Sequence, residues 1–155
     1  SIVASRSKYT LPGGIEINTR KGSFTDKFIG YFSDSTAKLD PKLAFAFDGV
    51  NFKTGSDTLT MESSGQLDEL ASVMNAYPKV YIKVVGHTDN EGDANKNKKL
   101  SDSRAKSVKA YLIGKGIVGR RIETAGMGSL SPIGDNNTEA GKAQNRRVEV
   151  IITRK

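Results

Sequence analysis

Residues 1–42 and residues 43–155 are patterned differently. In the second stretch apolar positions recur at regular spacing. Residues 43–47, Leu-Ala-Phe-Ala-Phe, and residues 50–52, Val-Asn-Phe, read as short strands. Over 61–77, Leu67, Leu70, Ala71, Val73 and Met74 fall on one side of a helix, which Pro78 stops. Residues 80–86 form a β-branched run that reads as a strand. A second long helix is expected over 101–115, with Val108, Tyr111 and Leu112 inward and Gly116 ending it. Strands at 121–125 and 147–153 close the chain, with a Gly-, Asn- and Pro-containing loop and a short helix at 139–144 between them. In the last strand Val148, Val150 and Ile152 make one face wholly apolar. This order predicts an α+β fold, a two-layer sandwich with two long helices packed on one face of a mixed sheet.

Residues 1–42 read as an accessory segment and connector before a domain spanning 43–155. Tyr9–Leu11 and Ile15–Ile17 flank Pro12-Gly13-Gly14 as two short strands about a turn. Phe24, Phe28 and Phe32 are spaced by four and share one face of a short helix that Ser23 caps and Asp26 suits electrostatically. These aromatics are expected to pack on the main domain. The start, Ser1 to Arg6, lacks the apolar core of a signal peptide.

Composition narrows the chemistry. There is no cysteine, so disulfides, thiolate metal sites and a cysteine nucleophile are excluded. A single histidine, His87, cannot build a two-histidine zinc site and is expected to end a strand with a local hydrogen bond. No apolar run reaches the length of a membrane span. The net charge of +7 favours polyanions. No nucleic-acid-binding motif accompanies it, and specific nucleic-acid binding is not expected. No enzyme, metal site or cofactor is expected either. Asp89, Glu91 and Asp93 alternate as in a calcium loop, without the glycine and distal glutamate in register.

The informative run is Gly86-His87-Thr88-Asp89-Asn90-Glu91-Gly92, then Asn97 and Leu100-Ser101-Asp102-Ser103-Arg104-Ala105. Asp89 follows a strand end, a common place for ligand sites. If Ser101 caps the second long helix, Arg104 lies in its first turn, where a cation is disfavoured by about 0.3–1 kcal/mol. An anion should compensate. Asp89 in a structural ion pair is one candidate. A ligand carboxylate held by the guanidinium and the free amides of the helix start is the other. An acid and a base at one pocket suit a zwitterion.

These residues carry a resemblance. Gly86-His87-Thr88-Asp89, Asn97, Leu100-Ser101, Arg104-Ala105, Arg121-Ile122, Gly126-Met127-Gly128, Pro132, Asn136, Thr138, Gly141 and Asn145-Arg146-Arg147-Val148-Glu149 are similar to the outer membrane protein A C-terminal domain. The resemblance covers about residues 43–153. It implies non-covalent binding of peptidoglycan in the periplasm, close to the outer membrane, with tethering of an envelope protein to the wall. It implies that Asp89 and Arg104 grip diaminopimelate, whose side-chain end carries an ammonium and a carboxylate on one carbon. Asn97, Thr88 and Arg146 are expected to orient the peptide. An envelope protein partner and a homodimer are both compatible with it. Lys53, after Phe52, departs from the acidic residue often found there. A module with a degenerate pocket and a basic polyanion-binding domain are the alternative readings.

Overall fold

The computed structural model describes residues 5–155, and residues 1–4, at the start of the accessory segment, lie outside it. The elements run β1 (Arg6–Thr10), β2 (Glu16–Arg20), α1 (Phe24–Ser33), β3 (Ala44–Ala46), α2 (Ser63–Ala76), β4 (Tyr81–His87), α3 (Ala94–Gly114), β5 (Ile122–Gly126), α4 (Glu139–Asn145) and β6 (Arg147–Arg154). β1 and β2 form an antiparallel ribbon whose turn holds Gly13 and Gly14 at positive φ, which glycine adopts without a Cβ clash. The main sheet has the order β3-β6-β4-β5. β4 runs parallel to β5 and antiparallel to β6, so the sheet is mixed.

The period-2 pattern of β6 does what its sequence predicts. Val148, Val150 and Ile152 are buried with Ile82, Val84 and Ile122, in one cluster with Leu67, Leu70, Met74, Val108 and Leu112 of α2 and α3. At the end of α2, Pro78 leaves the last carbonyls without helical partners. Buried Arg121 takes them over, donating from Nη2 to the Met74 and Tyr77 carbonyls at 2.8 and 2.9 Å and from Nε to Val80. α2 is tied to α3 by Tyr111, whose hydroxyl donates to Asp68 Oδ1 at 2.6 Å and is pushed up to about 12 by that bond.

The amino-terminal segment shares this core. Phe24 and Phe28 stack at 5.3 Å, Phe28 meets Phe45 edge-on, and Phe32 stacks on Tyr77. The four-residue spacing of phenylalanines thus packs on the main domain, as expected. Ser23 caps α1 by accepting from the Asp26 amide.

Two expectations are corrected. Residues 50–52 form no strand; Phe52 makes an isolated bridge to Leu59 within a loop, because Asn51 turns its backbone to the Ser63 hydroxyl instead. The helix expected over 101–115 begins at Ala94. Asp93 caps it, accepting from the Lys96 amide at 2.9 Å. Ser101 is no cap. It is fully buried mid-helix, donating to the Lys98 carbonyl and accepting from the Gly128 amide. Asp102 pairs with Lys106 instead of meeting a helix N-terminus.

α3 reaches the sheet through a notch. Gly86 and Gly126 are register partners on β4 and β5. A Cβ on Gly86 would lie 2.2 Å from the Ser101 carbonyl oxygen, and one on Gly126 2.3 Å from the Asp102 nitrogen. Both atoms are backbone and cannot step aside. Replacing Gly126 by alanine should therefore lower stability by about 1–3 kcal/mol, the usual cost of overpacking. Urea unfolding is the measurement, and a midpoint equal to wild type would show that α3 does not depend on the notch.

Candidate functional site

The cleft forms where β4 ends. After His87 the chain turns: the Thr88 amide donates to the Gly128 carbonyl at 2.9 Å, and the Thr88 hydroxyl donates to the Asp89 carbonyl at 2.7 Å. Asp89 closes a side-chain turn by accepting from the Glu91 amide at 3.0 Å through Oδ1. The Glu91 carbonyl then accepts from Asn97 Nδ2 at 2.8 Å, which fixes the loop to the first turn of α3.

The other wall comes from α4 and the start of β6. Fully buried Asn145 holds residues 133–136: its Oδ1 accepts from the Ile133 and Gly134 amides, and its Nδ2 donates to Gly134 and Asn136. This places Arg146, whose Nη1 donates to Asp89 Oδ2 at 2.7 Å. One helical turn earlier, Lys142 pairs with Glu91. Two ion pairs therefore clasp α4 onto the Asp89 loop.

Arg104 enters from α3. Its Nε donates to the Ser56 carbonyl at 2.9 Å, and its guanidinium carbon lies 5.1 Å from the centre of the Phe52 ring. Among the described residues, no carboxylate lies within ion-pair distance of it. Arg104 and Arg146 line one cavity of about 420 Å³ with Phe52, Thr54, Gly55 and Arg147. Deeper, Glu149 lies between Arg147 and His87, with Nε–Oε2 at 3.0 Å and Nε2–Oε1 at 2.8 Å. Neither ring nitrogen of His87 makes a hydrogen bond, so the local bond expected for it is not made.

Charge follows this geometry. Burial alone would raise the Asp89 carboxyl, but the hydrogen bonds from Arg146 and the Glu91 amide outweigh it and hold the group below its usual range. Glu149 is treated the same way: burial raises it, and His87 and Arg147 bring it lower. Arg104 is depressed by burial, only partly offset by Asp57.

Of the residues singled out in the sequence, Arg104 and Arg146 share the cavity and Asp89 joins them through Arg146. The Asp89–Arg104 ion pair is not formed; Arg146 takes that carboxylate. Arg104 stands in the third turn of α3, so neither a first-turn penalty nor free helix-start amides act on it. Thr88 and Asn97 support the loop from outside the cavity lining. Lys53 is exposed and outside the lining too. Phe52, Ser56 and Lys142 had gone unrecognised. The spacing of Lys142 and Arg146, four apart on a short helix, against Asp89 and Glu91, two apart on a loop, was the available signal for the clasp. The calcium-loop reading has no donor set left: Asp89, Glu91 and Asp93 are committed to Arg146, Lys142 and the α3 cap. Among the described residues no group of three His, Asp or Glu could hold a metal.

Fold and cleft define a class: a helix-backed mixed sheet with a cation-rich pocket at the strand ends. The chain belongs to the OmpA family, whose model matches residues 51–146. It is 36% identical over 145 residues to the probable lipoprotein YiaD of Escherichia coli, covering 92% of this chain and 66% of that protein. It is 42% identical over 86 residues to the peptidoglycan-binding protein ArfA of Mycobacterium tuberculosis, covering 56% of this chain and 26% of the relative. The chain thus spans less than two thirds of the length of these curated relatives. The crystal structure of the peptidoglycan-associated lipoprotein from Burkholderia pseudomallei is similar, with a TM-score of 0.61 at 26% identity, over 72% of this chain and 91% of that one.

The depressed carboxyls of Asp89 and Glu149 set a pH dependence. A carboxyl lowered in the folded state contributes stability that is full above its unfolded pKa of about 4 and lost as pH falls through the folded value. The denaturation midpoint should be flat from about pH 7 to 5 and fall below about pH 4. Asp89→Asn should flatten part of that acid limb. An unchanged limb in the variant would mean the Arg146 pair is too weakly formed to count.

Proposed function

We propose that this chain binds peptidoglycan non-covalently outside the cytoplasm and so tethers an envelope protein to the wall, without catalysing a reaction. The observation that carries it is Arg104. Its guanidinium is partly desolvated at the cavity wall, held by a carbonyl and a ring, and left without a carboxylate. A cation positioned that way is a seat for a ligand carboxylate. Asp89, kept ionised at the adjacent loop, is the seat for an ammonium. Diaminopimelate in a wall stem peptide offers both on one carbon. A lysine in its place lacks the carboxylate.

The names of the relatives support this reading, since ArfA is described as peptidoglycan-binding and the Burkholderia protein as peptidoglycan-associated. We assign residues 43–155 to the wall-binding domain and residues 1–42 to an accessory segment docked on it. Thr88 and Asn97 act by holding the Asp89 loop. Exposed Lys96, Lys98 and Lys99 on the first half of α3 add attraction for the anionic polymer.

Calorimetric titration with a diaminopimelate stem peptide, and with its lysine counterpart, checks the assignment. Wild type should prefer the first by about tenfold or more, since leaving a buried polar group unpaired costs about 1–3 kcal/mol. Arg104→Gln should erase that preference while its amide spectrum stays folded. Equal binding of both peptides by wild type sinks the diaminopimelate assignment.

A further inference from the structure

Asp89 already carries a cation. Oδ1 of that carboxylate accepts from the Glu91 amide and Oδ2 from Arg146 Nη1 at 2.7 Å, and the residue is 8% exposed. Asp89 is not among the residues that line the cavity; Arg146, which covers its carboxylate, is. From the cavity, Asp89 is approached on the side that the guanidinium now covers. An ammonium that takes Oδ2 therefore competes with Arg146 for that oxygen.

The displaced side chain has somewhere to go. Arg146 is anchored at the end of α4 by its own amide, which donates to the Lys142 carbonyl, while its side chain is 45% exposed. α4 itself stays in place through the Lys142–Glu91 pair, so no lid has to open. Charge then decides where the guanidinium goes. Arg147 keeps Glu149, and Arg104 takes the first ligand carboxylate. Arg146, deprived of Asp89, is left uncompensated at the cavity wall. A ligand with one carboxylate leaves it so. A ligand with a second carboxylate neutralises it.

We propose that Arg146 is a stand-in for the ligand ammonium on Asp89, and that ligand entry transfers it to a second carboxylate of the ligand. This rests on the assignment of Asp89 and Arg104 made above and adds a selection to it. The site distinguishes stem peptides whose acidic residue next to diaminopimelate has a free carboxylate from those in which that group is amidated.

Two stem peptides test it, identical at the diaminopimelate side-chain end and differing only in that neighbouring carboxylate, free or amidated. Each is titrated calorimetrically into wild type and into Arg146→Gln, with amide spectra to verify the fold. In wild type, amidation should weaken binding by about fivefold or more, the scale of one partly exposed ion pair. In Arg146→Gln the two peptides should bind within about twofold of each other. The amidated peptide should bind the variant at least as tightly as wild type, because the internal competitor is gone. The same amidation penalty in both proteins overturns the transfer, as does equal binding of both peptides by wild type. Loss of the amidated peptide in the variant also overturns it, by making Arg146 a contact to the shared part. If wild type binds neither peptide, the wall-binding reading itself fails, a result distinct from the others.

Discussion

The close approach of α3 to the sheet is the constraint on which the pocket depends, and it is made by two missing side chains. Gly86 and Gly126 lie side by side on β4 and β5, and the backbone of Ser101 and Asp102 occupies the space their Cβ atoms would need. At that depth the Ser101 hydroxyl can take the Gly128 amide, and Lys98 can reach the Gly126 carbonyl with its Nζ at 2.7 Å. These bonds fix the turn after β5, which in turn receives the Thr88 amide through Gly128. One turn of α3 beyond the notch is Arg104. Its place opposite Phe52 and Ser56 is therefore set by where glycine allows the helix to lie.

Around this frame the charges are arranged unevenly. Asp89 and Glu149 are each paired with an arginine, Arg146 and Arg147. Removing charges from water is costly, and such pairs add little net stability when the desolvation they require is counted. Their effect is on ionisation and position: both carboxyls are held charged and both arginines are held in place. Arg104 is treated in the opposite way. It is given a carbonyl and an aromatic face, which fix its orientation without cancelling its charge. The pocket thus holds two arginines that are paired with carboxylates and one that is not.

The sheet and its helices were legible because their signals are periodic and apolar. Val148, Val150 and Ile152 on β6 and the Leu67–Leu70–Met74 face of α2 end in the core as their spacing predicts. The first part of α3 was not legible for the complementary reason. From Ala94 to Leu100 it presents mostly exposed polar side chains, and an exposed helix has no inward stripe to betray it. That one missed stretch carried a consequence into the site, since it made Ser101 look like a cap and Arg104 look like a first-turn cation. The residue types of the pocket could be read from the run around Asp89, but their pairing could not. Asp89 and Arg146 are 57 positions apart, and the antiparallel register that sets His87 opposite Arg147 brings them together.

The amino-terminal segment solves a problem that the main sheet creates. β3 has three residues and lies at the edge of the sheet, next to β6. An edge strand offers unpaired backbone groups to any other chain, and proteins blunt such edges by keeping them short or covering them. Here the strand is short, and α1 packs beside it. α1 lays Phe28 against Phe45 and Phe24 against Phe47, so the aromatics of the segment close over the strand and its continuation. Buried Leu11 and Ile17 join the same core, which ties the β1–β2 ribbon to it as well. Severing the segment would expose the edge strand and part of the aromatic core together. Residues 1–42 thus differ from the rest of the chain in sequence pattern, while their described part packs with it as one body of side chains.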